Sequence, residues 1–257
     1  MIRTLARNDF KTKYAGSYLG IVWAFVQPVV TVFIYWFVFE KALHAGTQGA
    51  RAGIEVPYVL WLIAGLVPWF YFAEAINGGT HVLMDYSFLV KKVVFKIEVL
   101  PLVRILSCLY VHLFFVVFTL ILYTAYHLYP NLYALQLVYY SFGMVCLCLG
   151  FSYLSSAITV FFKDFSQIVN IAIQVGVWFT PIMWNIKAMD FPKWLMILLR
   201  LNPMFYVVQG YRDALVDHVW FWEHPLETVY FWALVVVVYV LGRHVFKKLR
   251  PHFADVI

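Results

Sequence analysis

Charge is what this sequence has least of. Only 12% of its 257 residues are Asp, Glu, Lys or Arg, whereas 64% are hydrophobic and the mean hydropathy is +0.81. An ordinary soluble domain carries roughly 25% charged residues. A soluble core of this size cannot hide so much apolar surface, so lipid must cover part of it. Cysteine is scarce too. Cys108, Cys146 and Cys148 lie in apolar runs, and Cys-Leu-Cys is too tight for a zinc pair, so all three are read as packing residues that say nothing about compartment. The absence of G-x-x-x-x-G-K-[ST] excludes a P-loop nucleotide site in this chain. There is also no G-x-S-x-G, no His-x-x-x-His pair and no cluster of carboxylates, so no metal site or catalytic group is expected. Of the eight histidines only His112 falls well inside an apolar run, where a helix–helix hydrogen bond is the plain explanation. Buried charge of the kind that drives ion-coupled transport is nearly missing as well: Glu74, in "WFYFAEAINGG", is the main candidate, and one peripheral acid does not make a self-powered pump.

What is present is six long apolar segments, approximately 19–39, 57–79, 102–126, 134–162, 168–184 and 227–246. Each is near or above the ~20 residues a helix needs to cross a bilayer. The fold expected is all-α and integral to the membrane, one domain over 1–257. The fifth segment is short and contains Pro181, so it is expected to kink or to stop before the far face. The first is too long for a signal-peptide core and has no small-residue cleavage site, so it is expected to remain as a span. Thirteen of the nineteen Lys and Arg residues fall on one side if the N-terminus is inside, among them Arg3, Arg7, Lys11, Lys13, Lys91, Lys92, Lys96, Arg104 and Lys247. That asymmetry predicts both termini in the cytoplasm and an even number of crossings. The net charge of +6 is therefore spent on orientation, and no nucleic-acid partner is expected.

Between the second and third segments, residues 80–101 form an inner connection that includes "YSFLVKKVVFKIEVLPLVR". On a helix Asp85, Lys92 and Lys96 share one face and Leu89, Val93 and Ile97 another, which describes an element lying on the membrane and showing charge to the cytoplasm. It reads either as a docking element or as a simple positive-inside anchor. On the outer side, residues 185–226 are long for a plain loop and are broken by Asn202-Pro203, which predicts two short helices dipping into the outer leaflet. Aromatic residues make up 20% of the chain, and several lie away from segment ends: Tyr35, Trp36, Trp61, Trp69, Phe72, Trp178 and Phe179. Aromatic faces suit a path along which a sugar polymer slides without fixed register; the alternative for each ring is helix packing or lipid contact.

Several stretches taken in order resemble the transmembrane subunit of ABC-2-type polysaccharide exporters, the permeases for O-antigen, capsule and teichoic acid. "RNDFKTKYAGSYLGIVWAFVQPV" is similar to the family's Asp-x-Lys-x-x-Tyr, Leu-Gly-x-x-Trp and Pro pattern, and "GLVPWFYF" to its second-span motif. "FLVKKVVFKIEVLPL", "FFKDFSQIVNIAIQVGVWFTPIMW" and "NPMFYVVQGYRDAL" are similar to its cytoplasmic loop, fifth span and outer re-entrant segment. One departure is that no proline occurs from Asp85 to Leu100, where many members carry one before the loop's glutamate. The resemblance implies a homodimer of six-helix subunits in the bacterial cytoplasmic (inner) membrane, working with two copies of a separate ATP-binding subunit that holds the ATP and Mg. It implies that residues 1–18 form an interfacial segment and that 80–101 carries a coupling helix, with Asp85, Lys92, Lys96 and Glu98 toward the ATPase. A lipid-linked polysaccharide, with O-antigen type favoured over capsule or teichoic acid, would pass the aromatic path to an outer gate around Pro181, Asn202, Pro203 and Arg212. For Arg212 a helix cap or a pairing with Asp213 or Asp217 is equally open. A drug or lipid permease of the same family is the alternative within it; a membrane glycosyltransferase would need clustered acids, and a secondary transporter would need buried charge and inverted repeats.

Overall fold

The computed structural model describes residues 2–13, 18–44, 46–47, 50–51, 54–91, 96–186 and 189–256. Apart from a two-residue antiparallel pairing of Ala50–Arg51 with Ile54–Glu55, its regular elements are helical. Helix α1 (Ile2–Lys13) precedes α2 (Trp23–Trp36), which continues into a π-helical turn, Phe37–Ala42. Next come α3 (Tyr58–Asp85), the single turn α4 (Ser87–Val90) and α5 (Val99–Ala125). Helices α6 (Gln136–Phe161) and α7 (Phe165–Phe179) lead to the short α8 (Lys193–Arg200) and α9 (Pro203–Arg212). The chain returns through α10 (Pro225–Leu249) and closes with α11 (Phe253–Val256).

Five helical stretches among the described residues are long and apolar enough to cross a membrane: Gly20–Ala42, Tyr58–Asp85, Val99–Ala125, Leu132–Phe161 and Pro225–His252. The segment expected at 168–184 is instead the 15-residue α7. At about 22 Å it is shorter than the ~30 Å hydrocarbon layer. Its end is local chemistry: Thr180 precedes Pro181 and is extended (φ −89°, ψ 129°), because the proline ring disfavours helical backbone in the residue before it.

Helix α3 is the hub. Within its most apolar stretch 72% is buried, against 6% for the stretch containing α2, so α3 is enclosed by neighbours while α2 is peripheral. The α3–α6 seam is built on small residues, with the Thr80 hydroxyl donating to Ile76 O (2.7 Å) in its own helix and lying 2.9 Å from Ser155 Oγ across the seam. At the α6–α10 seam Gly150 admits the backbone of α10: a Cβ there would lie 2.8 Å from Tyr239 N. Close backbone approach over small residues is how membrane helices gain van der Waals contact where no hydrophobic drive exists. His112 is buried at the junction of α5, α6 and α9, its Nε2 lying 3.1 Å from Ser141 Oγ and 3.0 Å from Tyr211 Oη.

Both terminal helices lie at one end of the bundle. There Arg104 of α5 meets Asp9 of α1 and Asp85 of α3, and Arg250 donates to Glu98 at 2.7 Å. At the opposite end Gln136 donates to Val219 O (2.9 Å) and accepts from Phe221 N (2.7 Å).

The inner connection is shorter than the expected 80–101. Helix α3 runs about 42 Å to Asp85 and α5 begins at Val99, leaving 86–98 between them. Lys92 and Val93 lie outside the described residues. A single helix presenting Asp85, Lys92 and Lys96 on one face is not what forms among the described residues, since α4 ends at Val90 and Lys96 is in irregular backbone. The apolar side has a protein partner: Val90, Ile97 and Leu100 pack with Phe246 and Phe253 in a small second core, with Leu89 against it.

Candidate functional site

A groove of about 490 Å³ opens between α2, α3 and α7. Its polar lining is Lys13, Gln27, Thr31, Glu74, Asn77 and Gln174; its rings are Trp23, Tyr35, Trp69 and Phe70. Lys13 donates to Glu74 Oε1 at 2.5 Å, both side chains remaining partly exposed (36% and 26%), so the pair lies in the groove wall within reach of solvent. Pro28 lies within α2 along this wall and removes one backbone donor from it. The groove offers amide, hydroxyl and aromatic contacts in one lateral channel, and a hydroxyl-rich chain can exchange hydrogen bonds along such a wall while its C–H faces ride on the rings.

Of the seven aromatic residues expected in the path, Tyr35 and Trp69 line this groove. Phe72 packs on Trp69 (ring centroids 5.5 Å), and Trp36 lies beside Phe33 and Lys41. Trp178 and Phe179 are 60% and 52% exposed on α7. Trp61 lies away from the groove, buried beneath the Arg212 guanidinium, whose carbon stands 3.4 Å from the ring centroid. Trp61 and Trp69, eight residues apart, do fall on one helix face, but α3 is enclosed on nearly all sides, so a shared face is not a shared cavity.

Pro181, Asn202, Pro203 and Arg212 come together at the end of α7. Arg212 is buried and donates to Pro181 O (2.5 Å) and Ile182 O (2.7 Å), carbonyls that no helix satisfies after α7 stops. Asn202 caps α9 by accepting from Met204 N (3.0 Å) and donates to Thr180 Oγ1 (2.8 Å), with Pro203 in the first turn of α9. Arg212 thus fixes carbonyls thirty residues upstream, while the Asp213 carboxylate accepts from Gln209 (2.8 Å).

At the other end a charged node ties α1 to the connection 86–98. Asp9 is buried and accepts from Tyr86 Oη at 2.5 Å; Arg104 lies 3.5 Å from Asp9 Oδ1 and donates to Asp85 Oδ2 at 2.6 Å. Burial, with the bond to Asp9, pushes the Tyr86 hydroxyl well above its ordinary value, so it stays a donor. Asp85 is thus held by Arg104, Glu98 by Arg250, and Lys96 is exposed. Asp9 and Arg104 were not singled out as site residues by sequence. The signal was there: Asp9 is the one acid among the bases of α1, three residues from the buried Ala6, and Arg104 is a lone charge in an apolar helix. Among the described residues no three His, Cys, Asp or Glu side chains gather as metal ligands would.

The model of the family described as ABC-2 type transporter matches residues 1–216. Two relatives from Klebsiella pneumoniae and one from Myxococcus xanthus, each described as O-antigen export system permease protein RfbA, are 24% identical to this chain. Each alignment covers 100% of this chain and 95% of the relative.

Proposed function

The chain belongs to the ABC-2 type transporter family, and on that premise we propose that it is the channel-forming permease subunit of an exporter of lipid-linked polysaccharide, of the O-antigen type. It is an integral membrane transport component with several apolar helices, and the likeness along its whole length to permeases of O-antigen export carries the proposal. Energy comes from ATP and Mg bound by a separate ATP-binding subunit, two copies serving two copies of this chain. The membrane is the bacterial inner membrane, with both terminal helices on the cytoplasmic side. The fifth of six crossings is made by α7 and completed by α8 and α9. In the homodimer α2 and α7 face the second copy, so each groove supplies half of the path. Tyr35 and Trp69 form the sliding surface, and Trp178 and Phe179 extend it outward. The segment held by Arg212 and Asn202 forms the outer gate. Residues 86–98, with Asp85, Lys92, Lys96 and Glu98, receive the ATPase. Movement of this connection reaches α1 through Asp85, Arg104 and Asp9, and reaches the groove through Lys13 and Glu74, a chain of contacts supported by the distances above.

The test is affinity purification from the native membrane with mass spectrometry of co-purifying proteins and lipid-linked glycans. The expected result is a stoichiometric ATP-binding subunit that is lost when Lys92 and Lys96 are both changed to Glu, together with a bound glycan. Intact protein without any ATPase would overturn the proposal.

A further inference from the structure

Helix α1 carries two chemically different faces. Ala6 and Asp9 are buried, Asp9 against Arg104 and Tyr86. Arg3, Arg7 and Lys11 recur every fourth residue and so project from one side, spread over about 12 Å of helix. All three are exposed, and none makes an ion pair among the described residues. This sets them apart from Lys13, which meets Glu74.

These cations border a crevice of about 450 Å³ whose remaining walls are Thr4, Phe10, Ile21 and Tyr110, with no acidic residue in the lining. The Phe10 and Tyr110 rings lie 5.7 Å apart and form an aromatic wall. A second crevice of about 370 Å³ shares Arg3 and Tyr110 and is otherwise apolar, with Leu106, Leu109 and Leu113. From Tyr110 an exposed apolar strip climbs α5 through Leu113, Val117 and Ile121 (39%, 51%, 55% and 60% exposed). Its eleven-residue rise is about 16 Å, and a further shallow recess lies along it at Val117, Leu120 and Ile121. Three unpaired cations therefore stand at the foot of an apolar track that leads along a membrane-crossing helix.

A ligand that satisfies both parts has an anionic head and an apolar tail. We propose that α1 and α5 form a binding site for an anionic phospholipid of the surrounding leaflet. Its phosphate is held by Arg3, Arg7 and Lys11, and one acyl chain lies along Tyr110, Leu113, Val117 and Ile121. Arginine pairs phosphate oxygens in a fork, so Arg3 and Arg7 set the head and Lys11 adds charge. The site rests on the membrane placement of the chain and not on the export proposal.

The experiment uses the full-length protein in nanodiscs of phosphatidylglycerol and phosphatidylcholine in equal parts, with native mass spectrometry of the lipids retained on release. The wild type is expected to keep phosphatidylglycerol over phosphatidylcholine by roughly tenfold or more, since each basic residue near an anionic surface contributes appreciably. Replacing Arg3, Arg7 and Lys11 by Gln should bring the ratio near parity, while Lys247→Gln with Lys248→Gln should leave it unchanged. If the triple variant fails to fold, Arg7→Gln alone should lower the ratio severalfold. Equal retention of both lipids by the wild type, or an unchanged ratio in the Arg7 variant, would overturn the proposal. Displacement of the lipid by inorganic phosphate would also overturn it, by reducing the site to a phosphate cradle.

Discussion

Three charged sites, around Arg104, the Lys13–Glu74 pair and Arg212, define the single-residue chemistry of this protein. Arg104 is nearly buried between Asp9 and Asp85, whose own exposures are 3% and 49%. Arg104→Ala would strand the buried Asp9 carboxylate, and removing one member of such a pair costs roughly 3–5 kcal/mol. Asp85→Asn touches a half-exposed group and should cost less than about 1 kcal/mol. Thermal denaturation in detergent, followed by size-exclusion elution, should show that ordering. For the Lys13–Glu74 pair the cost in stability is small because both groups reach solvent, yet the pair lies in the groove. On the proposed function, Glu74→Gln is expected to lower glycan export in cells while leaving the melting temperature within a degree or two, and the swapped pair Lys13→Glu with Glu74→Lys should restore part of it. Arg212 differs again, since it holds two backbone carbonyls with one fork. Arg212→Lys should recover less than half of the stability lost in Arg212→Ala, because a point charge cannot reproduce the planar pairing; chemical denaturation of both variants would show it.

At the scale of elements, five of the six apolar segments were readable from hydropathy as helices long enough to cross, and so was the break at Asn202-Pro203 that separates α8 from α9. Their limits were less so. Residues 80–85 carry a polar threonine and a charge and look like the start of a loop, yet α3 continues through them, with Thr80 bonded to Ser155 of α6 and Val82 and Leu83 buried in the second core. Residues 168–184 read as a short segment that Pro181 either kinks or ends before the far face, and the Thr180-Pro181 step does end the helix. Periodicity placed Leu89 and Ile97 on an apolar face but could not show that Phe246 and Phe253, some 150 residues on, would cover it. The same limit applies to the site: Tyr35 and Trp69 were named from sequence and line the groove, whereas the contacts of Asp9 and Trp61 depend on which helices meet. Seams between elements invite a direct test. Gly150→Val would force a side chain onto the α10 backbone at Tyr239, and overpacking of this kind costs roughly 1–3 kcal/mol or more. The expected signature is faster proteolysis of the linker between α9 and α10.

For the whole molecule, the uneven covering of the helices is the main fact. The α2 stretch is 6% buried and α10's is 22% buried, while α3 is enclosed. Helix α7 exposes Ile171, Val175, Trp178 and Phe179, and α10 exposes Val236, Val237 and Val240. Lipid can cover either face, but of the exposed helices α2, α7 and α10 only α2 and α7 border the groove. If two copies meet through α2 and α7 as proposed, cysteine at Val175 should cross-link them in the membrane and cysteine at Val237 should not; the reverse pattern would place the contact on α10.

The Arg212 clamp also has a bearing on how the chain is made. The carbonyl of Pro181 leaves the ribosome 31 residues ahead of the guanidinium that satisfies it. At ordinary synthesis rates that interval is about 2 to 6 seconds. During this time the end of α7, too short to cross alone, has its carbonyls open to whatever surrounds it. Insertion of α7 is thus provisional until α9 arrives, and substitutions at Arg212 should lower the yield of mature protein through degradation of nascent chains, beyond the stability lost by the molecules that do mature.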